Sequence, residues 1–383
     1  MKIGFFTDGY LPQINGVAIS VDAFKESLTE LKHKVYIVAP QYPKYKDKDK
    51  NVLRLKSIKI YNNPEIRFSY MFPDRILRQV ITEDFDIIHG FSGGSIPSLG
   101  LALSKIKRKP YVFTYNTRWN QYTHYILNGK VVTKNVVEKA TAIYCNRCDT
   151  IIAPAQFVKD ELLSFGVKKP ITVIPNGVNT KRFKPENKDY LKKQLGLSEN
   201  SKIVLYVGRL AKEKSLDFLI KAFARLPYSK NYYLVLVGDG PEKENLMSLA
   251  KKEGLADKVI FAGSVPHSET KRFLNSCDIF LSLYNLSNLG NPVLEAMSCG
   301  KCVVALNSGE MEDVIENGQD GVLIRFEDLE NAGPVVLELL KNDKKRAALG
   351  RSALAKSRVK FWSWDKRMNA EIGEVTSLVK HNG

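Results

Sequence analysis

Two successive series of short apolar runs, each followed by an amphipathic stretch, leave few folds open to this chain. In the first half the runs are KIGFFT, KVYIVAP, DIIHG, YVFTY, TIIAP and ITVIP, separated by segments such as VAISVDAFKESLTEL and IPSLGLALSKIK. The second half restarts with KIVLYVG, NYYLVLVG, KVIFAG, DIFLSL and CVVAL. Strand and helix patterns that alternate in this way predict parallel sheets covered on both faces. The expectation is an α/β chain of two doubly wound parallel-sheet domains, over residues 1–180 and 181–360. Between the two series, Asn176 to Asn200 is polar and rich in turn residues, and reads as a linker. Residues 361–383 follow as a C-terminal helix that crosses back to the N-terminal domain, with Trp362, Trp364, Met368 and Ile372 at near-helical spacing for packing.

The formal net charge of +17 predicts attraction to phosphate-rich surfaces: nucleic acid, anionic lipid or nucleotide. Residues 1–180 hold 26 Lys and Arg against 15 Asp and Glu, so the first half carries most of the excess. No aromatic-plus-basic strand of the RNA-recognition type, helix-turn-helix spacing or Cys/His finger occurs, so nucleic acid is not the expected partner. The cysteines Cys145, Cys148, Cys277, Cys299 and Cys302 make neither a secreted disulfide framework nor a zinc site. They read as reduced and structural, with a redox role for the CNRC pair as the other reading. No run approaches the ~20 apolar residues of a membrane span, and a strand begins at Lys2 where a signal peptide would lie, so the chain is expected in the cytoplasm.

In open parallel sheets, ligands bind beyond the carboxyl ends of the strands, which makes the following loops the candidates. After the first strand, TDGYLPQINGVAIS sets Gly9, Asn15 and Gly16 before a helix, a turn suited to close backbone approach to phosphate. It is not a G-x-G-x-x-G fingerprint, and no acidic residue ends a second strand about 20 positions on, which disfavours a dinucleotide cofactor. After the first strand of the second domain, GRLAKEKSLD places Arg209 and Lys214 on a loop that opens a helix. They read as a diphosphate clamp or as two solvated side chains. In SNLGNPVLEA, Pro292 suits a first helical position, so the helix starts at Asn291 or Pro292 with Glu295 in its first turn. Glu295 then either stabilises its own helix dipole or shares the helix mouth with a ligand. Asp47 and Asp49 have D-x-D spacing but sit among lysines, which predicts a solvated loop and no metal.

Taken together, MKIGFFTDGYLPQINGVA, VIPNGVNTKRF, YVGRLAKEKSLDFLI, LVGDGPE, VLEAMSCGKCVVA and NGQDGVLI resemble the retaining GT-B glycosyltransferases of the family 4 type, which include sucrose synthase and bacterial lipid and polysaccharide transferases. YVFTYNTRWNQYTHYI, with YCNRCDTIIAPAQFVKDELLSFGV, is most similar to the diacylglycerol glucosyltransferase branch, which makes glycolipids at the inner membrane face. The resemblance implies two Rossmann-like domains facing across a cleft and a nucleotide-sugar donor, UDP-hexose, with no cofactor. It implies that Gly16 approaches the diphosphate, that Arg209 and Lys214 neutralise it, that the Gly290 and Asn291 amides face phosphate oxygens, and that Glu295 receives the ribose hydroxyls. Retention then proceeds with no enzyme nucleophile: the leaving diphosphate takes the acceptor's proton on the same face of the sugar, and electrostatic stabilisation of that diphosphate carries catalysis.

Two positions depart from the family pattern where the sugar would sit. A second Glu expected eight positions before Glu295 is Ser287, and the His expected after the fourth strand is Asn116, which can hydrogen-bond but cannot carry a proton or positive charge. His124 lies on a loop or helix start that faces the cleft under this fold, as a sugar or acceptor contact or as a packed histidine. For the acceptor, RFSYMFPDRILRQV interleaves Arg67, Arg75 and Arg78 with Phe68, Tyr70, Met71 and Phe72. It reads as a segment lying in an anionic membrane interface or as a packed helix with solvated arginines, and Lys107 and Arg108 in SKIKRKP add nearby charge. The leading reading is a glycosyltransferase peripheral to the inner face of the plasma membrane, moving a hexose to a lipid hydroxyl. Transfer to an envelope saccharide and a non-catalytic nucleotide- or membrane-binding homologue are the alternatives.

Overall fold

The computed structural model describes residues 1–13, 16–60, 63–121, 123, 133–227, 231–284, 291–309, 311–361 and 363–381. Two compact units result: Met1–Asn176 with Trp364–Gly383, and Gly177–Ser363. In the first unit the strands are β1 (Lys2–Thr7), β2 (Lys34–Pro40), β3 (Val52–Leu55), β4 (Ser57–Ile60), β5 (Asn63–Ser69), β6 (Ile87–Phe91), β7 (Tyr111–Thr114), β8 (Thr150–Ala153) and β9 (Ile171–Val173). Its helices are α1 (Gly16–Glu30), α2 (Arg75–Thr82), α3 (Ser95–Lys107), α4 (Lys134–Cys145) and α5 (Gln156–Ser164). Seven of these strands form one parallel sheet in the order β3-β2-β1-β6-β7-β8-β9, while β4 and β5 pair antiparallel as a separate ribbon.

The second unit contains α6 (Tyr190–Gln194), α7 (Leu216–Ala224), α8 (Lys243–Lys252), α9 (Thr270–Ser276), α10 (Asn291–Ser298), α11 (Met311–Val314), α12 (Ala332–Lys341) and α13 (Asp343–Val359). Its strands β10 (Lys202–Val207), β11 (Tyr232–Val237), β12 (Val259–Gly263), β13 (Ile279–Ser282), β14 (Cys302–Leu306) and β15 (Val322–Ile324) form a parallel sheet in the order β12-β11-β10-β13-β14-β15. Both central strands are buried on both faces, as near-continuous apolar runs demand. In each sheet the strand order reverses once, between β1 and β6 and between β10 and β13, which opens a crevice at the carboxyl ends of those strands.

The final helix, α14 (Trp364–His381), belongs to the first unit and packs against α1. Its Arg367 and Glu371, each 1% exposed, pair at 2.6 Å one helical turn apart. Arg367 also donates to Asn176 Oδ1 at 2.6 Å. Burial raises the Glu371 pKa, opposed by Arg367. On the same side of the sheet, Phe5 contacts Phe24 and Phe91 with ring centroids 5.1 Å apart, and the His89 ring stacks on Phe91. His89 is fully buried and bonded to Thr114 Oγ1 at 2.7 Å, and burial, aided by Arg367, lowers its pKa to about 3, so it stays neutral.

Two expectations are corrected, and for the cysteines the structural reading holds over the redox one. The stretch from Asn176 to Asn200 is no free linker: from Gly177 on it belongs to the second unit, carries α6, and buries Val178, Phe183 and Leu191 in that unit's core. The Asp47–Asp49 loop is tied down instead of solvated. Arg54 grips Asp47 through Nε at 2.8 Å and Nη2 at 2.7 Å, and Lys25 meets Asp49 at 2.5 Å. All five cysteines are buried, and burial pushes the Cys145 thiol up to about 12, so the CNRC pair carries no thiolate for redox chemistry.

Candidate donor site and acceptor face

In the second unit, the strand order reverses between β10 and β13, so the loop after β10 and the carboxyl end of β13 flank the crevice. Arg209 follows β10, and a single 3-10 turn, Lys212–Lys214, brings Lys214 to the head of α7. Ser215 closes this turn with a left-handed φ of 48°, which redirects the chain into the helix. The loop after β11 braces the loop after β10 from behind. Leu210 N–H donates to Asp239 O at 2.9 Å, and Glu242 N–H donates to Leu210 O at 3.0 Å. The contact is so close that a Cβ on Gly238 would fall 1.9 Å from Gly208 O, and one on Gly240 2.3 Å from Leu210 O. Glycine at both positions follows from that approach and from their positive φ. The Lys214 ammonium lies 4.0 Å from the centre of the Tyr284 ring, at the end of β13, a cation–π contact that holds it beside the crevice.

Helix α10 starts at Asn291, as the Asn-Pro pair predicts, and carries Glu295 as its fifth residue. Glu295 is thus one residue past the first turn, and its bond is to another element. The carboxylate is 5% exposed and accepts from His267 Nε2 at 2.7 Å. A cationic loop that follows β10 and a buried carboxylate on the helix that follows β13 suit a ligand that joins a diphosphate to a hydroxyl-bearing ring.

Gly16 and Asn116 belong to the first unit, at the start of α1 and just beyond β7. A Cβ on Gly16 would meet no heavy atom within 4 Å, so its backbone is open to close approach. The segment after Asn116 is pinned: Arg118 grips Glu161 of α5 at 2.8 and 2.7 Å, and Asn120 Nδ2 donates to Glu138 of α4 at 3.3 Å. His124, Ser287 and Gly290 lie outside the described residues, as does Trp362.

The basic, aromatic segment divides into strand, loop and helix. Arg67 is buried and hydrogen-bonds Ser57 through Nε to Oγ at 2.7 Å and Nη2 to O at 2.9 Å, so it is not a membrane-facing cation. From Arg67 through the end of β5 to Tyr70 burial alternates with period two, with Arg67 and Ser69 inward and Phe68 and Tyr70 outward. Phe68 is 51% exposed and pairs across the ribbon with exposed Ile58; Tyr70, Met71 and Phe72 extend the apolar face. The Lys56 ammonium sits 3.7 Å above the Phe72 ring, and Arg75 and Arg78 are exposed on α2. Arg108 is exposed at the end of α3, but Lys107 is committed to the Glu83 carbonyl at 2.6 Å and is no free surface charge. Among the described residues no helix is long and apolar enough to cross a membrane.

Three residues of these sites carry no clear signal in the sequence. His267 and Tyr284 touch Glu295 and Lys214 across 28 and 70 residues of chain, distances at which no local pattern speaks. Asp8 sits at the end of β1, where its Oδ1 accepts from Ser95 Oγ at 3.0 Å and from Ile96 N–H at 3.2 Å at the head of α3. Its Oδ2 is buried without a hydrogen-bond partner among the described residues, covered by Gly94, whose added Cβ would fall 2.1 Å away. Burial raises the Asp8 pKa to about 7 against those hydrogen bonds.

Comparison with known proteins agrees with this arrangement. Residues 187–356 match the model of the glycosyl transferases group 1, and residues 14–182 that of glycosyltransferase family 4. The chain belongs to the family 4 glycosyltransferases of the GT-B fold. Among its relatives, the alpha-monoglucosyldiacylglycerol synthase of Streptococcus pneumoniae is 31% identical over 335 residues, covering 84% of this chain and 75% of that protein. The alpha-monoglucosyldiacylglycerol synthase of Acholeplasma laidlawii is 29% identical, covering 84% of each chain. Among solved structures, Anabaena HepE in complex with UDP-glucose superposes with a TM-score of 0.77 at 20% identity, over 98% of this chain and 99% of that one. WaaG, a glycosyltransferase involved in lipopolysaccharide biosynthesis, gives 0.76 at 16% identity, over 98% and 100%.

Proposed function

We propose that this chain is a retaining, metal-independent hexosyltransferase that moves glucose from UDP-glucose to a diacylglycerol-type lipid while held at the inner face of the plasma membrane. The observation that carries the lipid acceptor is the exposed face of Ile58, Phe68, Tyr70, Met71 and Phe72, bordered by Lys56, Arg75 and Arg78. Aromatic side chains enter the interfacial layer of a bilayer while cations meet anionic headgroups, each adding ~1 kcal/mol near the surface. The relatives named as monoglucosyldiacylglycerol synthases support the same acceptor class.

Arg209 and Lys214 neutralise the donor's diphosphate, and Glu295 receives the ribose hydroxyls. As the bond from the sugar to the diphosphate lengthens, positive charge grows on the sugar and negative charge on the departing oxygen. The two cations stabilise that oxygen more as the bond breaks, which lowers the barrier. The lipid hydroxyl attacks from the face that the diphosphate leaves and passes its proton to a diphosphate oxygen, so configuration is retained without an enzyme nucleophile. Asn116 hydrogen-bonds the sugar and takes no part in proton transfer.

The test is release of nucleoside diphosphate from UDP-, GDP- and ADP-sugars, with and without vesicles of diacylglycerol and anionic lipid. Release from UDP-glucose that requires the vesicles is the expected result. Release that needs a soluble saccharide instead would overturn the lipid acceptor, and silence across the panel with nucleotide still bound would overturn the enzyme.

A further inference from the structure

We infer that His267 is a positioning residue for donor binding: it fixes the Glu295 carboxylate in the orientation that receives the ribose. This inference rests on the ribose role of Glu295 proposed above. The carboxylate is almost fully buried, and among the described residues its one hydrogen-bond donor is His267 Nε2, at 2.7 Å to Oε1. That bond stops rotation of the carboxylate and leaves Oε2, which has no protein partner among the described residues, to accept from a ligand hydroxyl.

His267 is itself held from two sides. Its carbonyl accepts from Thr270 Oγ1 at 2.7 Å, in the turn that opens α9, and Phe183 packs against the imidazole with ring centroids 5.4 Å apart. Phe183 is 2% exposed and comes from the segment after Asn176. Three distant stretches of chain therefore converge on one carboxylate: residues 177–183 supply the wall, the loop after β12 the donor, and α10 the acceptor. Burying a carboxylate is costly unless it is hydrogen-bonded, and a structural role for the pair would need only that one bond. A role in binding makes a further demand, that the effect of His267 pass through the ribose hydroxyls.

The experiment measures, by calorimetry, the affinity of the full chain for UDP and for 2′,3′-dideoxy-UDP, comparing wild type with His267→Phe, His267→Gln and Glu295→Ala. Phe keeps the ring against Phe183 and removes the donor; Gln keeps an N–H donor. His267→Phe should weaken UDP binding on the order of tenfold, the effect of losing a hydrogen bond to a charged group, while binding of the dideoxy nucleotide stays unchanged. His267→Gln should restore UDP affinity to within about threefold of wild type. Equal weakening of both nucleotides by His267→Phe would make the contact merely structural and overturn the inference. Unchanged UDP binding in His267→Phe, with loss in Glu295→Ala, would overturn it while leaving the ribose role intact. Unchanged binding in Glu295→Ala would overturn the ribose role, and this inference with it.

Discussion

Replacing Asp8 with Asn should stabilise the first unit in alkaline solution and lose that benefit in acid. The Asp8 carboxyl has a pKa of about 7 in the folded chain against an ordinary 3.8, because burial penalises its ionised form. An acid whose folded pKa is raised costs nothing below its unfolded value. The cost grows as pH rises from ~4 to ~7 and is constant above, and at ~1.4 kcal/mol for each pH unit of that gap it reaches ~4 kcal/mol. Asn keeps the oxygen that Ser95 and Ile96 bond to, and it buries an unpaired amide where Oδ2 lies, at a pH-independent cost of ~1–3 kcal/mol. The variant should therefore be ~1–3 kcal/mol more stable than wild type at pH 8.5, and its advantage should fall by ~3 kcal/mol at pH 5. Urea unfolding followed by tryptophan fluorescence measures this, since Trp119 and Trp364, two of the chain's three tryptophans, belong to the first unit. A difference between variant and wild type that is equal at the two pH values, or a variant less stable at pH 8.5, would refute the reasoning.

Arg209→Ala and Lys214→Ala should each lower turnover of UDP-glucose by ~10²–10³-fold, beyond any rise in KM, because the stabilisation they remove grows in the transition state; diphosphate release at saturating donor checks this. Arg367→Met should destabilise the first unit by ~3–5 kcal/mol by stranding the buried Glu371 carboxylate. Burial already raises the Glu371 pKa, so protonation relieves the strain, and the loss measured by urea unfolding should be smaller at pH 5 than at pH 8. Phe68→Ala combined with Phe72→Ala should reduce co-sedimentation with anionic vesicles, and the wild-type interaction should weaken steeply with salt; binding indifferent to ionic strength would count against electrostatic docking.

The two parallel sheets were legible because their central strands are buried on both faces and so read as unbroken apolar runs. Strand β3 was not, since VLRL is short and carries an arginine that only the fold shows to be gripped by Asp47. The β4–β5 ribbon was misread for a different reason. Polar and aromatic residues alternate only from Arg67 to Tyr70, a run too short to stand out from the helix-like spacing that follows it, and this alternation sends Arg67 inward and Phe68 outward. Phe183 and Leu191 are isolated apolar residues in a polar stretch, so no pattern announced that they complete the second unit's core. At the candidate donor site, the start of α10 and the loop carrying Arg209 and Lys214 followed from local rules of turn and helix start. The partners that hold Glu295 and Lys214 are tertiary, and a lone His in a loop or Tyr at a strand end gives no warning of them.

The route of the chain sets an order of assembly. Residues 177–363 form one unbroken stretch that can complete its own core as it is synthesised, whereas the unit that starts first also needs α14, which is made only after that whole stretch. Until Arg367, Met368, Glu371 and Val375 arrive, α1 lacks the helix that packs against it and brings those four buried residues to the first unit. During synthesis the second unit should thus fold ahead of the first, reversing the usual N-terminal-first sequence. Loss of residues 364–383 would be felt in the unit built from residues 1–176, on the far side of the sequence.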